Sequence, residues 1–242
     1  DREDDLILDK FIEAGDQAGF PLTRDFNGKE QEGFSRYEHT INDTPRGPRR
    51  WSSAQAYLHP ALKRKNLFNE TNVTVDKLIL DGKKVKGVEY VNEKGVRTSC
   101  FVNREVILSA GALGSPQILM RSGIGDSNDI TKHGIEMVHE LKGVGKNLQD
   151  HYGVTSAFYA TQPVTLHRSA SWLSTQIAGI KYLLFGTGDA AYPPCSGGAF
   201  IKSSPDKDLP DTQLHYVSVQ SQDQHFREGV TSDHGFGCIA YI

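Results

Sequence analysis

The stretch VILSAGALGSPQILMRSGIG, from Val106 to Gly125, constrains the fold more than any other part of the sequence. Its apolar, β-branched start at 106–108 predicts a buried strand, and the small residues that follow allow another group to approach the backbone closely. Ser115 predicts the N-cap of a helix, with Pro116 in the first turn and Gly123 ending it in a left-handed conformation. A strand, a small-residue turn and a helix N-terminus in this order is the geometry that holds a phosphate-bearing cofactor.

Strand signals precede this stretch. Short extended runs are separated by turn sequences at Asp81-Gly82 and at 93–95, and they predict an antiparallel meander. The predicted strands are Asn66–Thr71, Val73–Leu80, Val85–Val91 and Val96–Val102. A meander that leads into a buried strand is typical of a dinucleotide-binding α/β domain with an accessory sheet.

Helical spacing and capping residues predict further helices at 6–18, 51–62, 127–133 and 171–185. His59-Pro60 is expected to interrupt the second of these. Thr44–Arg50, rich in Pro, Gly and Arg, predicts an exposed connection without regular structure. The alternation of apolar and polar residues predicts a half-buried strand at 213–220, and a last strand is expected from Phe236 onward.

Composition excludes several classes of partner and site. The formal net charge of -3 offers no electrostatic attraction to nucleic acid. No apolar run approaches the roughly 20 residues of a membrane-spanning helix, so no transmembrane segment is expected. Cys100, Cys195 and Cys238 are odd in number and far apart, which favours buried free thiols over a disulfide framework or a zinc site. Because the chain begins without Met and stops within a strand-like run with no partner or cap after it, we expect an internal fragment.

The central stretch resembles a known family. GALGSPQILMRSGIG, Gly111–Gly125, is similar to the second signature of the glucose-methanol-choline (GMC) family of FAD oxidoreductases, and GVGKNLQDH, Gly143–His151, is similar to the segment that follows it. The flanking stretches 11–21, 25–34 and 49–67 resemble the choline-oxidising branch of this family. The resemblance covers most of the chain, and its central motif is long enough to be specific.

This resemblance implies a fold in two incomplete parts: an α/β FAD-binding domain portion with an antiparallel β-meander, and an α+β substrate domain with an antiparallel sheet. Residues 1–50 and 153–242 are expected in the substrate domain, and residues 51–152 in the FAD-binding domain. The family's phosphate-binding motif and its catalytic His lie outside this chain, so the resemblance assigns no catalytic residue here. The chain alone is not expected to bind FAD tightly or to turn over.

The resemblance also carries cofactor-binding positions. Val75 matches the position whose backbone meets the adenine of FAD in family members. Ser109, Ala110 and Gly111 correspond to the turn that approaches the cofactor, where a side chain larger than Ala would collide. The residues themselves leave ordinary sheet packing open for Val75 and a tight structural turn open for the other three.

Three residues are expected to line the substrate pocket. His225 resembles an active-site-lining His of the family, with an exposed loop His as the alternative. His215 lies on the alternating strand, where it either faces the pocket or is a satisfied buried His. Ser196 stands where choline-oxidising members carry a Glu that faces the quaternary ammonium. Because a hydroxyl cannot replace a Coulomb attraction on the order of several kcal/mol, the resemblance predicts a neutral or differently charged alcohol rather than choline. Aromatic rings could supply cation–π contacts instead.

The implied activity is oxidation of the CH–OH group of a small-molecule alcohol, with hydride transfer to FAD and with oxygen or a quinone-type carrier as electron acceptor. Two alternatives from other classes remain open. Some family members keep FAD as a structural element and cleave hydroxynitriles, and a non-catalytic flavin-binding relative would act through its surface.

Overall fold

A computed structural model of the chain describes residues 5–166, 171–219 and 234–242. Their contacts divide the chain into two compact units. One unit comprises Asp1–Pro60 with His151–Ile242, and the other comprises Ala61–Asp150. The predicted assignment of 1–50 and 153–242 to a substrate domain, and of 51–152 to an FAD-binding domain, concerns function and stays a prediction.

Five α-helices and twelve strands are formed by the described residues. The helices are α1 (Leu6–Gln17), α2 (His59–Ala61), α3 (Gly111–Arg121), α4 (Ser127–Ile130) and α5 (Trp172–Phe185). The strands are β1 (Gly33–Arg36), β2 (Ile41–Thr44), β3 (Gly47–Arg50), β4 (Val73–Asp81), β5 (Lys84–Asn92), β6 (Arg97–Phe101), β7 (Ile124–Gly125), β8 (His139–Glu140), β9 (Gly153–Tyr159), β10 (Gly197–Ile201), β11 (Thr212–Val217) and β12 (Gly235–Tyr241). None of the described helices combines the length and the apolarity needed to span a bilayer.

The first unit is built on a five-stranded antiparallel sheet with the order β1-β10-β11-β12-β9. Helix α1 packs on one face of it, where the ring of Phe11 lies 5.2 Å from that of Phe34 and 5.8 Å from that of Tyr216. Leu8 of the same helix is fully buried. The predicted strands at 213–220 and from 236 are confirmed, and β12 pairs with β11 and β9, which both precede it in the sequence.

The helices of this unit that the sequence predicts at 6–18 and 171–185 form as expected. The Asp5 side chain caps α1, and the Ser171 side chain caps α5. Helix α5 ends at Gly186, with φ +67. The large apolar side chains along α5 are exposed in the structure; they include Trp172, Leu173, Ile177, Ile180 and Leu184.

Two predictions fail between α1 and the second unit. Thr44–Arg50 is not an irregular connection, because β2 and β3 form a hairpin there. This hairpin packs against α5: the Tyr182 hydroxyl donates to the carbonyl of Pro48 at 2.8 Å, and the Arg49 guanidinium lies 4.9 Å from the centroid of the Tyr182 ring. His59-Pro60 does not interrupt its helix either, since a π-helix at Ala54–Leu58 continues directly into α2.

The second unit contains the predicted meander. Strands β4, β5 and β6 pair in that order, all antiparallel, and turns join them where the sequence places them. Asn66–Thr71 is not a strand. Asn72, with φ +58, breaks the extended backbone immediately before β4.

The central stretch differs from its prediction in two ways. The run at 106–108 has no regular secondary structure and belongs to no described strand, and Ile107 is 79% exposed. Helix α3 begins at Gly111, with Ala110 as N-cap, five residues earlier than the predicted cap at Ser115. Ser115 is inside the helix, where its Oγ accepts the backbone N–H of Ala110 at 2.9 Å. The predicted end at Gly123 is confirmed by its φ of +79.

The three cysteines are free, as predicted. Cys195 and Cys238 are partly buried, and burial raises the pKa of the Cys195 thiol to about 11. Cys100 is exposed on β6, so its expected burial is wrong.

Candidate functional site

The predicted cofactor turn forms an open surface in the second unit. Ser109, Ala110 and Gly111 are all exposed. Gly111 has φ +82, and a Cβ placed on it would meet nothing within 4 Å. Two apolar side chains flank the turn, Ile107 on one side and Leu113, 72% exposed, on the other. The turn is therefore accessible to a large ligand with apolar parts.

The start of α3 adds polar groups to this surface. The side chain of Ala110, the N-cap, makes no capping hydrogen bond, so it satisfies none of the backbone N–H groups of the first turn.

A cleft of about 1150 Å³ begins at Ala112 and Leu113 and runs along α3. Asp129 and Lys146 lie on its wall and form an ion pair of 2.5 Å, which lowers the pKa of the Asp129 carboxyl.

Val75, the other predicted cofactor position, lies on β4 of the same unit. It is half-buried and pairs with Tyr90, and the register shifts immediately after it. Helix α3 and strand β4 are joined by Ser122, whose Oγ accepts the N–H of Leu78 at 2.8 Å and donates to the carbonyl of Ile118 at 2.6 Å. The structure thus places Val75 and the turn at 109–111 on directly connected elements.

These observations fit the group that the sequence predicts. An accessible turn without side-chain bulk, an uncapped helix start and flanking apolar residues suit a ligand that has polar and apolar parts, as FAD does. No side chain of the turn obstructs such an approach, because Ser109, Ala110 and Gly111 carry at most one heavy atom beyond Cβ.

Ser196, the first predicted pocket residue, is engaged in a buried hydrogen-bond network. Its Oγ donates to Asp5 Oδ2 at 3.2 Å. Asp5 is 4% exposed, and its other oxygen accepts the Tyr216 hydroxyl at 3.1 Å and the N–H of Leu8 at 3.2 Å. Sequence reasoning missed Asp5, because 191 positions separate it from Ser196 and no local pattern connects the two.

Ser196 also borders a cavity of about 250 Å³. Tyr37 lies on the same wall, and its backbone N–H donates to the Ser196 carbonyl at 2.9 Å. The Tyr37 hydroxyl donates to the carbonyl of Leu214 at 2.9 Å, and burial raises the pKa of this phenol well above its usual range.

His215 belongs to a different group of contacts. Its ring lies edge-on to Tyr37 and Tyr241, with centroid distances of 5.4 and 5.0 Å. Its buried Nε2 has no hydrogen-bond partner among the described residues. Neighbouring residues of a strand point to opposite faces, so His215 lies on the face opposite Tyr216, the residue that shares Asp5 with Ser196.

No hydrogen bond among the described residues joins Ser196 to His215, but Tyr37 contacts both: its backbone N–H donates to Ser196, and its ring lies against that of His215. His225 lies outside the described residues. Tyr37 and Tyr241 contact His215 but were not predicted as site residues, because their relation to it arises only from strand pairing.

Burial makes His215 a source of pH dependence. Desolvation, with a smaller contribution from the charge of His151, lowers the pKa of the His215 imidazole. A lowered pKa in the folded state means that the free energy of unfolding is highest above the unfolded pKa of about 6.5 and falls as pH drops through the folded value. We expect urea unfolding curves to show this decline, and a His215→Phe variant to show less of it. A His39→Gln variant measures how much of the decline comes from His39 instead, because desolvation also lowers the pKa of that imidazole. An unchanged pH dependence in His215→Phe would contradict this assignment.

Comparisons with known proteins identify the family. Residues 2–153 match the GMC oxidoreductase family. The mitochondrial choline dehydrogenase of Mus musculus is 43% identical over 87% of this chain and 34% of its own length. The oxygen-dependent choline dehydrogenase of Brucella ovis is 40% identical over 97% of this chain and 41% of its own length.

Solved structures agree with this match in fold. Pyridoxine 4-oxidase from Mesorbium loti aligns with a TM-score of 0.75 and 25% identity, over 98% of this chain and 42% of its own. A variant of formate oxidase from Aspergillus oryzae RIB40 aligns with a TM-score of 0.78 and 20% identity, over 98% of this chain and 45% of its own. The chain spans less than half the length of these relatives. The predicted family and fold class are confirmed, and this chain belongs to the GMC oxidoreductase family.

Proposed function

We propose that the whole protein is an oxidoreductase that oxidises the CH–OH group of a small-molecule alcohol. The observation that carries this proposal is the family match over residues 2–153, together with about 40% identity to choline dehydrogenases over nearly the whole chain. The cofactor is FAD, as the sequence predicts: the chain belongs to this family, and the formate oxidase structure concerns FAD modification. When bound, FAD supplies the acceptor for the hydride of the alcohol.

In this proposal the second unit carries the residues that hold FAD. The turn at Ser109, Ala110 and Gly111 admits the cofactor to the backbone, and the backbone of Val75 meets its adenine. The open space around Gly111 and the connection of β4 to α3 through Ser122 support these roles. The general base is expected in a part of the protein beyond this chain.

His215 and His225 are proposed to line the substrate pocket from the first unit, and Ser196, whose hydroxyl is bound to Asp5, is proposed to do so only where it borders the cavity beside Tyr37. A neutral His215, whose buried Nε2 has no hydrogen-bond partner within residues 5–166, 171–219 and 234–242, has one hydrogen bond to offer to a polar ligand. Ser196 brings no charge, and the nearby Asp5 carboxylate already accepts three hydrogen bonds and is almost fully buried. Neither residue therefore presents a free carboxylate to a quaternary ammonium, which supports an alcohol other than choline.

The activity can be tested on the full-length protein by absorbance. Anaerobic addition of a substrate alcohol should bleach the oxidised flavin band, because the flavin takes up the hydride. We expect neutral alcohols to bleach it faster than choline at equal concentration. Readmission of oxygen or addition of a quinone then identifies the acceptor by the return of colour.

Other outcomes of this experiment would contradict the proposal. Persistent colour together with cleavage of mandelonitrile indicates a hydroxynitrile lyase. Persistent colour with every alcohol and no cleavage indicates a non-catalytic flavin protein. Rapid bleaching by choline alone would retain the oxidoreductase but overturn the substrate proposal.

A further inference from the structure

Asp76 is the extra residue of a β-bulge that directly follows Val75. Val75 pairs with Tyr90 and Lys77 pairs with Glu89, so Asp76 has no partner on the opposite strand. Bulges bend a strand locally and redirect the neighbouring backbone, and they are frequent beside functional sites. Because Asp76 lies outside the pairing of β4 with β5, its conformation must be stabilised by interactions other than the hydrogen bonds between these two strands.

Two arginines from different elements supply that support. Arg121 of α3 pairs with one carboxylate oxygen of Asp76, and its Nε donates to the backbone carbonyl of Asp76 at 3.0 Å. Arg97 of β6 pairs with the other carboxylate oxygen and also reaches Glu89 at 3.2 Å. Salt bridges from both arginines therefore restrain the Asp76 carboxylate, and a hydrogen bond from Arg121 of α3 restrains its backbone carbonyl.

The burial of these groups is uneven. The Asp76 side chain is 12% exposed, whereas both arginine side chains are more than half exposed. Hydrogen bonds from Arg97 and Arg121 lower the pKa of the Asp76 carboxyl, so it stays charged at neutral pH. A shielded carboxylate that accepts from two forked donors has little freedom, unlike a mobile surface ion pair.

We infer that Asp76 is a positioning residue for the cofactor: with Arg97 and Arg121 it fixes the bulged backbone of Val75 against which the adenine of FAD lies. This inference rests on the proposed function, which assigns Val75 to the adenine. Asp76 itself does not contact FAD in this scheme. Its effect on binding passes through the conformation of the residue before it.

The test compares FAD affinity in Asp76→Asn and a matched control on the same strand. Asp81→Asn makes the same change at the hairpin end of β4, where Asp81 forms an exposed pair with Lys86 at 3.4 Å. Full-length apo-protein is titrated with FAD by flavin fluorescence and with ADP, the adenine half alone, by calorimetry. We expect Asp76→Asn to raise both dissociation constants about tenfold, which corresponds to about 1.4 kcal/mol, and Asp81→Asn to leave both unchanged.

A second variant protects the test against loss of folding. Arg121→Lys keeps the charge but loses the forked geometry and the Nε bond to the Asp76 carbonyl, so it should also weaken ADP binding. The inference would be overturned if both variants bound FAD and ADP with dissociation constants within twofold of wild type. Reduced stability of the same variants would then show that Asp76 has only a structural role. Weakened FAD binding with unchanged ADP binding would also overturn it, since the adenine end would then be unaffected. Wild-type apo-protein that binds neither ligand would instead refute the proposed function.

Discussion

Replacing Ser196 with Glu should destabilise the protein by about 3 kcal/mol, at the upper end of single-substitution effects. The wild-type hydroxyl donates a hydrogen bond to the buried Asp5 carboxylate. A Glu at this position removes that donor and sets a second carboxylate beside the first, in surroundings where both charges are poorly solvated. Introducing Glu, the residue that the resemblance places here in choline-oxidising members, is therefore expected to change stability as well as substrate preference.

Urea unfolding at neutral pH measures this effect, and two further variants define its cause. Ser196→Ala loses only the hydrogen bond and should cost about 1 kcal/mol. Asp5→Asn combined with Ser196→Glu leaves a single carboxylate and should recover most of the lost stability. The Ser196→Glu defect should also shrink as pH falls, because like charges raise the pKa of one carboxyl and its protonation relieves the repulsion. A Ser196→Glu protein as stable as wild type would show that Asp5 and residue 196 do not interact.

A methyl group at Gly198 should cost about 2 to 3 kcal/mol, the range of an overpacked core. A Cβ there would lie 2.0 Å from the carbonyl oxygen of Leu214 and 2.2 Å from the hydroxyl of Tyr37. The first of these atoms belongs to the backbone of the neighbouring strand, so it cannot turn away as a side chain can. The hydrogen bond between the two atoms should break as the Tyr37 ring moves.

Gly237→Ala is the matched control for this substitution. Gly237 lies on β12 of the same sheet, but the atom nearest to its added Cβ is 3.8 Å away, so the change should alter stability by less than about 0.5 kcal/mol. Equal stability of the two alanine variants would contradict the predicted clash.

Local signals predicted the elements whose causes are local. Ser171 and Gly186 bracket α5 because a cap hydrogen bond and a left-handed glycine act within one turn of the helix. The meander followed from alternation and from its turn residues. Ser115 was misassigned as a cap because Gly111 and Ala110 already start the helix, and a serine that accepts an N–H from five positions earlier has no distinct sequence signature.

Burial and site geometry were harder to predict, because they depend on partners that are distant in sequence. The run at 106–108 has the composition of a core strand, yet no described strand pairs with it. The helical spacing at 171–185 predicted α5 itself but not the exposure of its large apolar side chains. Asp5, Ser196 and Tyr216 meet only because the sheet and α1 bring both ends of the chain together.

The strand order of the large sheet has a kinetic consequence. Gly33 pairs with Phe200, and Leu214 pairs with Ala240, so the sheet cannot close until nearly all of this stretch has left the ribosome. The meander at 73–101 needs only contacts between adjacent strands. Because folding slows as contacts become more distant in sequence, β1 should wait unpaired while the meander forms. During that interval its apolar Phe34 is the residue most in need of protection from aggregation.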